Sequence, residues 1–169
     1  IGLAAGVEPS GSNMAYVTLA LTPEERAKAG GRSGGLAAAS VSIDPSGTVT
    51  VHTDSTPAGQ GHATVAAQVA ADRLGLEPRD IQVITAIDTQ NTAWSLASGN
   101  YSNRFAAIEV GAISESADRI ADKLRRIAGE MLEVAAEDIE LSGGRAHVTG
   151  APEQGIALAV EEAVRGIDG

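Results

Sequence analysis

The sequence predicts an α+β fold of mixed strands and hairpins, with helices packed on one side. Three observations predict it. Val41, Ile43, Val49 and Val51 alternate with Ser, Thr and His on either side of Pro45-Ser46-Gly47, which reads as a β-hairpin. Ile113, Ala117, Ile120, Leu124, Ile127 and Met131 recur at spacings of four and three, the clearest helical stripe in the chain. A helix end, a turn with Asp and a strand occur twice, in Leu74–Val83 and again in Leu132–Leu141. That echo describes two similar helix-to-strand joints in one layer, not a solenoid period.

Taken in order, residues 1–35 are rich in Gly, Ser and Pro and read as an extended arm. Within it lie Glu8-Pro9-Ser10-Gly11-Ser12-Asn13, an apolar run from Ala15 to Leu21, and Thr22-Pro23-Glu24-Glu25. Thr at the N-cap, Pro at the first helical position and Glu at the third mark a helix start, which Gly30-Gly31 must soon stop. Residues 36–169 read as an α+β lobe, incomplete by itself. After the hairpin, a Gly-flanked loop from Ser55 to Gly61 leads into a helix from His62 to Leu74, with Val65, Ala66, Val69 and Ala70 on one face and Gly75 closing it. A strand is expected at Ile81–Ile84, ended by Asp88-Thr89-Gln90-Asn91, then a polar loop from Thr92 to Arg104 and the long helix, about 105–132. A second hairpin, Ile139–Leu141 and Ala146–Thr149, turns at Ser142-Gly143-Gly144, and a last helix is expected over Ile156–Val164.

Composition narrows function. The chain has 169 residues and no cysteine, which excludes disulfides, thiolate zinc and cysteine-ligated iron–sulfur clusters within it. A net charge of −10 argues against a nucleic-acid surface. No apolar run reaches membrane-spanning length and no signal segment opens the chain, so no membrane contact is expected and the cytoplasm is the expected compartment. Only four aromatic residues are present, so the core must rely on close backbone approach between small side chains. The first residue is Ile rather than Met, which suggests a piece of a longer chain.

Two loops could carry chemistry. Gly59-Gln60-Gly61-His62-Ala63-Thr64 joins a strand to a helix. Its glycines free the backbone, and a helix N-terminus favours an anion. It reads either as a phosphate or heterocycle site or as a plain Gly-rich turn capped by Thr64. It is neither a Walker loop nor a dinucleotide fingerprint. Ser98-Gly99-Asn100-Tyr101-Ser102-Asn103-Arg104 is a second helix start. Its guanidinium could take a phosphate bidentately, or the loop could be simply solvated, with Ser102 or Asn103 as N-cap. Both loops leave C-terminal strand ends, the usual ligand edge of an α/β layer. His52 and His147 sit at polar strand positions and read as solvated, whereas His62 could contact a ligand. Neither a metal-ligand spacing nor a Gly-x-Ser-x-Gly nucleophile motif is present.

Gly59-Gln60-Gly61-His62-x-Thr64, followed by Gln68-Val69-x-Ala71-Asp72-x-Leu74-Gly75-Leu76, Asp88-Thr89 and Ser98 to Arg104, resembles the molybdenum hydroxylases. That family comprises xanthine dehydrogenase, aldehyde oxidase and aerobic carbon monoxide dehydrogenase, and the likeness is to an internal segment of the large, molybdopterin-binding subunit. It covers about residues 1–165, and Glu8 to Met14 resembles bacterial members acting on small N-heterocycles. The resemblance implies that Gln60, Gly61, His62 and Thr64 lie against the pterin side of the cofactor. It places Asn100, Ser102 and Arg104 on the pyrophosphate side, and Tyr101 at the border of the substrate pocket. The implied cofactor is molybdopterin cytosine dinucleotide with molybdenum. The implied partners are the rest of the large subunit, iron–sulfur and FAD subunits, and a small-molecule substrate. The family's Val-Gly-Glu motif, which carries its catalytic Glu, is missing. No catalytic residue and no metal ligand is therefore expected here, and the chain is expected to be inactive alone. Two other readings stand beside this one: a non-catalytic assembly domain or split subunit, and an unrelated phosphate-binding module.

Overall fold

A computed structural model describes residues 2–6, 21–28, 36–95 and 98–158. The stretch from Glu8 to Met14, most of the Ala15–Leu21 run and the Gly30-Gly31 stop lie outside the described residues. Within the arm, the helix start forms: α1 spans Pro23–Lys28. The Glu25 carboxylate accepts from the Thr22 amide at 2.8 Å, and the Glu25 amide donates to Thr22 Oγ1 at 3.3 Å. This reciprocal capping box satisfies two otherwise orphaned donors.

The hairpin is β1 (Ala39–Ile43) and β2 (Val49–Thr53), antiparallel with Val41 opposite Val51. Asp44 shapes its turn by accepting from the amides of Ser46 and Thr48 at 2.9 and 3.0 Å. After β2 the chain crosses over through α2 (His62–Leu74) to β3 (Ile81–Ile84), which pairs parallel to β2. The crossover puts the C-terminal ends of β2 and β3 on one edge of the three-stranded sheet β1-β2-β3. Both loops singled out in the sequence leave from that edge, the place where α/β layers bind ligands.

The long helix begins with a π turn at Phe105–Glu109 and continues as α3 (Val110–Leu132). It packs on α2 and β1, and it also meets a second antiparallel sheet, β4 (Ile139–Ser142), β5 (Arg145–Val148) and β6 (Ala151–Ala157). The expected last helix is therefore corrected at its start. Ile156 and Ala157 are strand residues paired with Ala146 and Arg145, and the segment beyond Leu158 lies outside the described residues. Alternation across Ala151–Ala157 is weak because Gly155 and Pro152 interrupt it, so period alone did not mark the strand.

The helical stripes hold in part, with Ala66, Ala70, Ile113 and Ala117 buried and Val69, Ile120 and Leu124 packed against the core, and need correction at their exposed members. On α2 the buried apolar residues are Ala66, Ala67, Ala70, Ala71 and Leu74, while Val65 is exposed. On α3 they are Ile113, Ala117, Ala121, Ala128 and Gly129, while Ile127 and Met131 face outward. The seam between the helices follows the smallest side chains, because these allow the closest approach. Large aliphatics flank it.

The echo is a real structural repeat. Leu76 N–H bonds to Ala71 O and Val134 N–H to Gly129 O, both at 3.0 Å, across left-handed residues Gly75 and Glu133. Each is a Schellman-type stop, followed by a short 3₁₀ turn (Pro78–Asp80, Ala136–Asp138) and a strand. Gly75 is required for a second reason: a Cβ there would lie 2.0 Å from the Leu141 carbonyl oxygen. The second sheet thus docks directly onto the end of α2.

Candidate functional site

Two loops and two helix starts converge on a cleft of about 350 Å³, lined by Gln60, His62, Val65, Asn100, Tyr101, Ser102, Asn103, Phe105 and Ala106. Of the residues proposed from sequence, it brings together Gln60, His62, Asn100, Tyr101 and Ser102. Gly61, Thr64 and Arg104 are not among its lining residues. Gly61 stands at the α2 N-cap with φ 78°, a left-handed conformation that glycine adopts without strain. No side chain caps this helix start, so the Thr64 hydroxyl does not serve as a local cap. Gln60 stiffens its own loop, its Oε1 accepting from the Ala58 amide at 2.6 Å.

His62 is only 6% exposed. Its ring stacks on Phe105 with centroids 4.0 Å apart and planes 4° from parallel, and its Nδ1 lies 2.9 Å from Ser55 Oγ. Burial holds its pKa below the ordinary 6.5, favouring the neutral imidazole. The stack ties the start of α2 to the start of the long helix. The other histidines are not simply solvated, as their strand positions suggested. His147 is buried with Nε2 2.7 Å from Ser142 Oγ, and His52 keeps a buried Nδ1 with no partner among the described residues.

Arg104 occupies a different place from the phosphate clamp suggested by its sequence position. It is 1% exposed. Nη2 donates to both Asp54 carboxylate oxygens at 2.7 and 2.8 Å and to Leu36 O at 3.0 Å, Nε donates to Leu36 O at 3.2 Å, and Nη1 donates to Glu109 Oε2 at 3.0 Å. Every nitrogen of the guanidinium is engaged inside the chain, so it cannot reach a ligand without breaking buried ion pairs. Asp54 is the hub. Beyond Arg104 it accepts from Ala38 N–H at 3.1 Å, Ser95 Oγ at 2.7 Å and Ser98 Oγ at 3.0 Å, while its backbone carbonyl accepts from Gly99 N–H at 2.8 Å.

The Arg104–Glu109 pair depends on the π turn. An α-helix stacks i on i+4, whereas a turn closed by i→i+5 bonds stacks i on i+5. Val110 N–H donates to Phe105 O, five residues back, and the ion pair spans the same interval. Sequence reading missed Asp54 and Glu109. A period-3.6 search does not connect residues five apart, and Asp54 directly follows a strand as an unremarkable loop acid.

The cleft suits a phosphate-bearing ligand. Two uncapped helix starts, amide side chains, hydroxyls and a neutral imidazole line or border it. Among the described residues no carboxylate lines it, although the chain carries a net charge of −10. Its volume lies at the small end of ligand pockets, about 300–1,000 Å³.

Comparison with known proteins follows this geometry. A model of the molybdopterin cofactor-binding domain matches residues 1–167. The large subunit of nicotine 6-hydroxylase from Paenarthrobacter nicotinovorans is 39% identical over 121 residues, which cover 72% of this chain and 14% of that protein. Quinoline 2-oxidoreductase from Pseudomonas putida 86 superposes with a TM-score of 0.70 at 35% identity, over 95% of this chain and 19% of that one. A Cu,Mo-CO dehydrogenase gives 0.66 at 28% identity, over 79% and 16%. The chain thus spans less than a fifth of the length of each of these relatives.

Proposed function

The chain belongs to the molybdopterin cofactor-binding domain family of molybdenum hydroxylase large subunits, and on that premise we propose that its cleft holds the phosphate-bearing part of a molybdopterin cytosine dinucleotide. The observation that carries this reading is the convergence of two helix starts on a cleft with no carboxylate among its described lining residues, at the shared C-terminal edge of β2 and β3. The uncapped N–H groups at the start of α2 favour negative charge, with Gly61 allowing close backbone approach. Gln60, Asn100 and Ser102 supply neutral hydrogen bonds, and His62 supplies a neutral ring nitrogen. Tyr101, which lines the cleft, is assigned to the border of the substrate pocket. Thr64, exposed on the first turn of α2, lies outside the cleft and has at most a peripheral part.

A bound molybdenum centre would supply the oxidative chemistry, carbon hydroxylation with oxygen from water or CO oxidation, with iron–sulfur and FAD subunits as the proposed electron-accepting partners. The chain's own share is to bind, orient and shield. Aldehydes, purines and other N-heterocycles are the substrate classes in view. Among the described residues no helix is long and apolar enough to cross a membrane. The cytoplasm remains the proposed compartment.

The test uses the assembled enzyme. Molybdenum is measured by mass spectrometry, acid-released pterin by fluorescence, and the nucleotide freed by hydrolysis by chromatography. The reading expects cytidine monophosphate stoichiometric with molybdenum, and a roughly tenfold lower cofactor content when Gln60 and Asn100 are both changed to Ala, consistent with losing two hydrogen bonds. Unchanged cofactor in that double variant counts against the cleft.

A further inference from the structure

We propose that Asp54, Arg104 and Glu109 form a neutral buried triad, with Asp54 carrying the charge that pairs Arg104 and Glu109 carrying a proton, and that this triad positions the cleft wall formed by residues 98–105. The inference rests on the cofactor reading only for its consequence; its geometry is independent of any ligand.

The assignment follows from the donors each carboxyl receives. The two Asp54 oxygens accept from Arg104 Nη2, the Ala38 amide and the hydroxyls of Ser95 and Ser98. Glu109 accepts from Arg104 Nη1 and more weakly from the Asp54 backbone amide, and its Oε1 is buried with no close hydrogen-bond partner among the described residues. Both carboxyls are 0% exposed. One guanidinium cannot compensate two buried carboxylates, and an uncompensated buried charge is far more costly than a neutral acid. The proton belongs on the carboxyl with fewer donors. Burial pushes the Glu109 pKa up to about 7, the nearby Asp54 charge adds to the rise, and Arg104 opposes it. Asp54 from the end of β2 and Arg104 from its own helix start are the charged groups facing Glu109.

The triad reaches the cleft wall at several points. Ser95, Ser98 and the Gly99 amide all bond to Asp54. Arg104 adjoins the left-handed residues Ser102 and Asn103, and its amide bonds to Tyr101 O at 3.0 Å. Phe105 and Glu109 bound the same π turn, so ion pair and His62 stack share one backbone register. Arg104 and Glu109 are thus positioning residues that act through the loop. A neutral triad also places no net charge behind a wall that faces phosphate.

The experiment measures amide hydrogen exchange of peptides covering 98–105 in the native protein that carries this chain, as protection factors corrected for intrinsic rate. Wild type is compared with Glu109→Gln and Arg104→Lys. Ionising Glu109 on raising pH from about 5.5 to about 8 is expected to cut wild-type protection by more than about tenfold. His62 gives the opposite sign, since its protonation loosens the wall at low pH. Glu109→Gln, a neutral isostere, is expected to keep the protection and abolish the loss at high pH. Arg104→Lys, which cannot span Leu36, Asp54 and Glu109, is expected to lose protection at both pH values. A protonated-carboxyl stretch near neutral pH in the infrared difference between wild type and Glu109→Gln gives an independent readout. Absence of that band, or loosening by Glu109→Gln as great as by Arg104→Lys, overturns the proposal. If exchange and infrared behave as stated while Arg104→Lys leaves molybdenum and pterin content unchanged, the triad stands and the reading of the cleft as cofactor wall falls.

Discussion

Glu109 makes the residue-scale prediction with the clearest sign. Its pKa in the fold is about 7 against an ordinary 4.5. Between those values the folded state holds more protons than the unfolded state, so stability falls as pH rises through the interval and levels off above it. Burial of neutral His62 works the other way: its contribution is complete above pH 6.5 and is lost as pH falls. Urea denaturation across a pH series is expected to show a decline toward alkaline pH in wild type and none in Glu109→Gln. Arg104→Met leaves two buried carboxyls facing each other, and the loss expected by the same method is about 3–5 kcal/mol. A stability change below about 1 kcal/mol would mean the ion pairs are not buried in solution.

At the scale of elements, the two helix-to-strand joints carry the packing. Gly75→Ala puts a methyl into the Leu141 carbonyl at a residue with φ 65°. A loss above about 3 kcal/mol is expected, combining backbone strain with a clash that must shift β4. Gly143→Ala, at φ 57° but with open space around it, isolates the backbone component and is expected to cost about 1 kcal/mol. Equal losses in thermal melts of the two variants would contradict direct docking of the second sheet on α2. These elements also show what the sequence disclosed. Hairpins, the Gly75 stop and the echo were legible because turn chemistry and strand alternation are local. Orientation of the helices was legible in part: Ala66, Ala70, Ile113 and Ala117 are buried as expected, whereas Ala67, Ala71, Ala121 and Ala128 carry too little hydropathy to displace Val65 or Ile127 from a periodic pattern. The strand containing Ile156 was hidden because Pro152 and Gly155 interrupt its alternation, its pairing being set by a neighbour.

At the scale of the whole molecule, the residues around the cleft were largely legible because Gly, Asn and Ser at helix starts have local meaning. The network beneath it was not. Asp54, Arg104 and Glu109 meet only through the fold, and the π turn that joins two of them has no sequence period. The same locality explains why Arg104 read as a phosphate ligand: it stands at a helix start, but its side chain turns inward. The chain covers less than a fifth of each relative compared, and it contains no Val-Gly-Glu segment. Purified by itself, it is expected to show no dye-coupled oxidation of aldehydes or purines above background, and turnover there would contradict the division of labour proposed.

The central claim is that the cleft between Gln60 and Asn100–Phe105 receives the phosphate-bearing part of the cofactor. It is tested most directly by an experimental density map of the assembled, cofactor-loaded enzyme. The account predicts a phosphate within hydrogen-bonding distance of the α2 start and of Gln60 or Asn100, with Arg104 still paired to Asp54 and Glu109. A cofactor seated elsewhere, with side chains from the rest of the subunit filling this cleft, would contradict it.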